Sequence, residues 1–169
     1  GYALAYAGLA DSYNILVSYS ALAPHHAFRK AKGAALKALK IDPKLAEAHT
    51  SIAFVKFGYD WDWAGAERGF KQSLKLNPGY ANAHNFYAVL LAALGRFDDA
   101  LAHVARAHEL DPLSLPINTS RGWLLYLAHR YDEAIEQYRK AARLDHNPQY
   151  AFKLAYMLDL VGEEEEAIS

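Results

Sequence analysis

The chain has 169 residues, 53% of them apolar, with 18 basic against 19 acidic side chains and no cysteine. That is long and apolar enough to bury a substantial core. The near-neutral charge lacks the basic excess of a nucleic-acid reader or membrane-surface binder, and the missing thiols exclude disulfide and thiolate chemistry. No apolar run approaches the ~18 residues that a membrane-crossing helix needs. No charged stretch leads into an apolar run and cleavage site, so a secretory signal is not expected and the expected location is cytoplasmic. The chain starts at Gly1 and stops at Ser169 inside a nascent helix, so it reads as a fragment of a longer protein.

Apolar spacing is helical throughout, with no alternating strand pattern to compete. A first unit, residues 3–43, has Leu9, Ala10 and Tyr13 as the core of its first helix. It then carries roughly nine extra residues around Ser18 to Pro24, and a second helix from about His26 to Lys40. A second unit, 44–78, has one extra residue in its turn, Tyr59-Asp60-Trp61-Asp62-Trp63-Ala64. A third, 79–112, has a first helix over about Ala81 to Leu94. Gly95 stops it, as Gly58 and Gly162 are expected to stop theirs, because a left-handed capping conformation costs glycine nothing. Asp98 and Asp99 then open a helix that ends near Leu110, their charges favoured by the helix dipole. A fourth, 113–146, repeats this with Gly122, Tyr131, Asp132, Glu133, Ala134 and Ala141. A truncated fifth, 147–169, holds Leu154, Ala155, Gly162 and Ala167.

These units are in register. Asp42-Pro43, Asn77-Pro78 and Asp111-Pro112 stand 35 and 34 residues apart. Ala31, Ala66, Ala100, Ala134 and Ala167 form a second ladder, and Ala38, Ser73, Ala107 and Ala141 a third. One helical hairpin stacked several times accounts for all three. The expected fold is all-α, a right-handed α-solenoid of helix-turn-helix repeats in a single array over residues 1–169.

Signals for chemistry are weak. Eight histidines are present, but no HExxH and no metal-spaced cluster, so no metal site is expected. His49 and His84 occupy one place in consecutive repeats, which points to packing, and His25-His26 marks a helix start. No GxxxxGK[ST], GxSxG or strand-borne GxGxxG occurs. No catalytic residue and no cofactor is therefore expected, and the chain is not expected to be an enzyme. Trp63 stands where Phe97 and Tyr131 stand in later units, as a plug for the turn, which leaves Trp61 as the freer ring. The acidic run Glu163 to Glu166 reads as a solvated first turn.

The period and its small-residue ladders resemble the tetratricopeptide repeat family over nearly the whole chain. Where that family often has Trp, this chain has Tyr6, His49, His84, Asn118 and Ala151. The run Tyr59 to Pro78 also resembles repeat segments of bacterial multidomain signalling proteins. The resemblance implies that each unit's first helix lines a concave face. The inward positions it implies are Asp11, Asn14, Thr50, Phe54, Phe57, Asn85, Phe86, Val89, Thr119, Trp123, Tyr126, Phe152, Lys153 and Tyr156. This stripe is apolar and aromatic, as binding surfaces often are. Some members grip C-terminal carboxylates with inward Lys, Asn and Arg. Here those places hold Ala7, Asp11, Phe86, Pro116 and Ser120, so that activity is not implied.

The expected function is a protein–protein interaction scaffold that binds a peptide or protein segment in the concave groove. The alternative is a regulatory or sensory domain of a larger bacterial signalling enzyme or transcription regulator. A protein partner is expected, and neither nucleic acid nor membrane. The cut fifth unit, with Leu154, Tyr156, Leu158 and Leu160, is expected to favour self-association, since terminal repeats need a polar cap.

Overall fold

The computed structural model describes residues 1–18, 22–144, 155–156 and 158–159. It contains eight helices among them: α1 Tyr2–Ser18, α2 Pro24–Ile41, α3 Ala46–Gly58, α4 Trp63–Leu76, α5 Ala81–Ala93, α6 Phe97–Leu110, α7 Leu115–Leu127 and α8 Tyr131–Leu144. They pair sequentially as stacked helical hairpins, and the all-α expectation holds. The chain divides into two compact units, Gly1–Leu90 and Leu91–Ser169.

In the first unit α1 packs on α2 and α3, α2 on α3, and α3 on α4. Its seams are built from alanine. Ala7, Ala38 and Ala48 meet with Leu45, Ala10 meets Ala34 and Ala35, and Ala31 joins Phe28 and Val55. Small side chains let helix backbones approach closely. In the second unit α7 packs on α6 and α8. Its core holds Ile135, Tyr138, Ala141 and Leu158. Every described member of the two small-residue ladders is at most 2% exposed. Ser73 is the polar exception. Its hydroxyl accepts from Thr50 Oγ1 at 2.7 Å and donates to the Ala46 carbonyl at 2.9 Å.

The Asp/Asn-Pro ladder and the His49, His84, Asn118 series prove to be one device. His49 Nε2 pairs with the Pro43 carbonyl at 3.0 Å and His84 Nε2 with the Pro78 carbonyl at 3.1 Å. Asn118 Nδ2 donates to the Pro112 carbonyl at 2.9 Å. Each side chain thus ties the first turn of a hairpin to the bend before it, satisfying a carbonyl of that bend. Asp42 and Asn77 add Asx turns, accepting from Lys44 N and Gly79 N.

Helix ends follow local chemistry. Pro24 starts α2 two residues earlier than the sequence suggested, because proline at the first turn lacks only an N–H that would be unpaired anyway. Asp62 caps α4 by accepting from Gly65 N at 2.8 Å. Trp63, Phe97 and Tyr131 are each the first residue of their helix. Gly95 takes φ +75, and Arg96 N then donates back to the Leu91 carbonyl at 2.9 Å. His129 takes the same place in the next repeat with φ 59, and Arg130 N donates to the Leu125 carbonyl. Gly58 is itself helical. Because that turn is one residue longer, Trp61 is the residue forced left-handed, with φ 56. Gly162 and Ala167 lie outside the described residues.

Candidate functional site

Helical spacing places Asp11 and Asn14 one turn apart on α1, and Thr50, Phe54 and Phe57 along one stripe of α3. Asp11 is half-buried. Its carboxylate accepts from the Ser51 hydroxyl and from Tyr80 Oη at 3.0 Å. Burial pushes Asp11 above the ordinary carboxylate range against the pull of both hydrogen bonds, and the Glu47 charge adds to the rise. Burial and the Asp11 charge likewise push Tyr80 up. Asn14 is 1% exposed and donates to the Ser51 carbonyl at 3.2 Å. Thr50 is fully buried in its bond to Ser73, and Asn85 is 2% exposed with Oδ1 unpartnered. These polar positions therefore organise helix packing beneath the stripe.

The aromatic positions lie higher. Phe54, Phe57, Phe86 and Val89 are all half-buried. The Phe54 ring sits 4.6 Å from Phe86, 6.4 Å from Phe57 and 6.3 Å from the buried Phe28. The first unit thus presents a cluster of converging rings across α3 and α5, with part of each ring open.

In the second unit Thr119 is half-buried, and its carbonyl accepts from Tyr138 Oη at 3.2 Å. Trp123 is 42% exposed and stacks on Tyr126 at 5.3 Å and 27°. Tyr126 also leans on Tyr131 at 5.6 Å and packs against the core of α8. Tyr156 is 47% exposed. Phe152 and Lys153 lie outside the described residues, as do Leu154 and Leu160. Leu158 is buried against Ile135, Tyr138 and Ala141, so it offers no free edge.

Sequence reasoning missed Tyr80 and Ser51, which hold the Asp11 carboxylate. Tyr80 precedes its helix, so no helical period marks it. Trp61 is 74% exposed beside Trp63, 6.3 Å away, and the Lys32–Asp60 ion pair at 2.6 Å anchors the same turn. Among the described residues no cluster of histidine and acidic side chains suits a metal, and no helix is long and apolar enough to cross a membrane.

Tetratricopeptide repeat signatures match residues 62–117 and 118–148, together just over half of the chain. The chain is 25% identical over 133 residues to anaphase-promoting complex subunit 3 of Schizosaccharomyces pombe, covering 78% of this chain and 20% of that protein. It is 24% identical over 164 residues to the transcriptional regulator HilA of Salmonella typhimurium, covering 96% of this chain and 30% of that protein. It thus spans less than a third of either relative. Among solved structures, PilF of Pseudomonas aeruginosa aligns with a TM-score of 0.72 at 25% identity, covering 96% of this chain and 73% of that one. YrrB, a repeat protein with an unusual peptide-binding site, aligns with a TM-score of 0.62 at 20% identity, covering 92% and 77%. The YrrB likeness speaks for the fold alone. Domains of this kind are typically protein-interaction modules and generally non-catalytic scaffolds. With its 34- and 35-residue ladders, its sequential hairpins and these matches, the chain belongs to the tetratricopeptide repeat family.

Proposed function

We propose that this chain is a non-catalytic, cytoplasmic interaction module that holds a peptide or protein segment against the aromatic stripes of its first helices. The observation that carries this is the pair of partly open aromatic surfaces, Phe54, Phe57 and Phe86 in one unit and Trp123 on Tyr126 in the other. Converging rings with exposed faces are poor at solvating themselves and good at burying an apolar side chain. Asp11, Asn14, Thr50, Asn85 and Thr119 set the helix spacing beneath them, Val89 and Tyr156 flank them, and Phe152 and Lys153 extend the stripe in the sequence. YrrB is an instance of this fold that carries a peptide-binding site. Attraction is mainly hydrophobic, so affinity depends weakly on salt.

The direct test is capture from a lysate of the source cell with the wild-type chain and with Trp123→Ala. Tyr126 contacts the core, so its removal would confuse folding with binding, whereas Trp123 projects into solvent. A protein held by the first and lost by the second supports the reading. Equal retention moves the binding surface elsewhere.

A second reading is favoured by the match to HilA along 96% of this chain: a regulatory segment of a larger transcription regulator, whose stripe holds a part of the same polypeptide. The parent reading frame decides. A DNA-binding or signalling domain beside the repeats favours it, and further repeats alone count against it.

A further inference from the structure

The outer face of α1 is open. Tyr2 is 80% and Leu9 44% exposed, and Ala5 and Ser12 are exposed with them. At helical spacing these four form one stripe without a charge. The second unit shows what such a stripe packs on. Tyr6 and His49 hold one place in successive units, so the same stripe there reads Leu45, Ala48, Ile52 and Val55. Leu45 and Ala48 pack with Ala7 and Ala38, Ile52 against Ala10, Ala34 and Ala35, and Val55 with Phe28 and Ala31. All of those partners belong to α1 and α2, so the cover is helical.

One border of the α1 stripe is cationic. Tyr6 and Tyr13 stand three or four residues from Tyr2 and Leu9, which makes them neighbours on the helix surface. Lys37 Nζ lies 5.7 Å over the Tyr6 ring and Lys30 Nζ 5.3 Å over the Tyr13 ring. Each ring holds an ammonium along the border. Among the described residues neither lysine has a carboxylate partner. The nearest acidic side chains in sequence are engaged elsewhere. Asp11 accepts from Ser51 and Tyr80, Asp42 from Lys44 N, and Asp60 pairs with Lys32. α2 itself carries Arg29, Lys30, Lys32, Lys37 and Lys40 and no Asp or Glu.

We propose that the outer face of α1 docks an amphipathic helix of a protein partner. Its apolar side lies on Tyr2, Ala5 and Leu9, and its acidic side meets Lys30 and Lys37. The occupant is a helix because helices already seat the same stripe in the second unit. It is acidic because the border offers two cations and no free anion. Lys30 and Lys37 are about 10 Å apart along α2, so carboxylates a heptad apart on the partner reach both. This face is distinct from the aromatic stripes, and the inference does not rest on them.

The test uses two fluorescein-labelled, hydrocarbon-stapled helical peptides with Leu and Ala on one face. One has Glu at two places a heptad apart beside that face, and the other has Lys there. Anisotropy is followed as the chain is added. The Glu peptide is expected to bind saturably and about tenfold or more tighter than the Lys peptide. Lys30→Glu/Lys37→Glu should reverse that preference, an outcome that misfolding cannot produce. Leu9→Ser should weaken binding, and Trp123→Ala should leave it unchanged. No saturable binding, equal affinity for both peptides, or an unreversed preference overturns the proposal. Loss of binding in Trp123→Ala does so too, by placing the peptide on the aromatic stripe. A dimer in light scattering that Leu9→Ser disperses assigns the face to a second copy and overturns it. Sedimentation with vesicles of equimolar phosphatidylcholine and phosphatidylserine, lost in Lys30→Glu/Lys37→Glu, assigns it to a membrane surface and overturns it as well.

Discussion

Gly122→Ala tests the account of how α7 and α8 meet. An added Cβ would lie 2.6 Å from Tyr138 Cζ, 2.7 Å from Cε2 and 2.9 Å from Cε1. The ring is fully buried and held by its hydroxyl bond to the Thr119 carbonyl, so it has no free direction to move. Overpacking of this kind costs about 1–3 kcal/mol. Mid-helix glycine to alanine otherwise gains ~1 kcal/mol. The net expectation is a loss of up to about 2 kcal/mol, read as a lower urea midpoint at unchanged m-value. One repeat earlier the same register holds Ala88 and Val104. Gly122→Ala/Tyr138→Val should therefore be less destabilised than the sum of its single changes, by about 1 kcal/mol or more. If Gly122→Ala raised stability by its propensity gain, the close approach would not be a packing constraint.

Three further outcomes are expected. Ser73→Ala strands the buried Thr50 hydroxyl and should cost about 1–3 kcal/mol, whereas Thr50→Val/Ser73→Ala should be close to wild type in thermal melts. An additive double mutant would contradict the paired burial. Asp11→Asn removes a carboxylate whose folded pKa is raised, so ionisation costs folding free energy above that pKa. The variant should be at least as stable as wild type at pH 7, with the difference closing as pH falls through the ordinary carboxylate range. A difference that widens in acid would contradict the burial. Trp61→Gly relieves a left-handed backbone at an exposed site and should stabilise by about 0.5–1 kcal/mol in denaturant titration. A loss would show that the Trp61–Trp63 contact outweighs the strain.

The repeat was legible because hairpin stacking needs small residues at fixed intervals, and Ala31, Ala66, Ala100 and Ala134 stand there in sequence and in the seams. Trp63, Phe97 and Tyr131 were readable as one repeated position, but as plugs of the turn and not as the first helical residues they are. Geometry that depends on several repeats at once was not. Asp11 meets Tyr80 across 69 positions, and no local pattern links them. The polar members of the inward stripe gave no sign of their burial either, because helical spacing assigns a face and not a depth. Asn14, Thr50 and Asn85 share the face of Phe54 and Phe86, yet lie under it. The left-handed turn went to Trp61 and not Gly58, because Trp61 stands two residues before its helix start at Trp63, as Gly95 does before Phe97 and His129 before Tyr131.

The central claim is that aromatic faces on the first helices bind a protein segment. Its most direct test is isothermal titration of the segment mapped from the captured partner, against wild type and Trp123→Ala, at low and high sodium chloride. The account predicts a loss of about 2 kcal/mol or more on removing Trp123, in the range of an aromatic anchor, with little change across the salt range. Binding that survives Trp123→Ala but collapses in salt would contradict it.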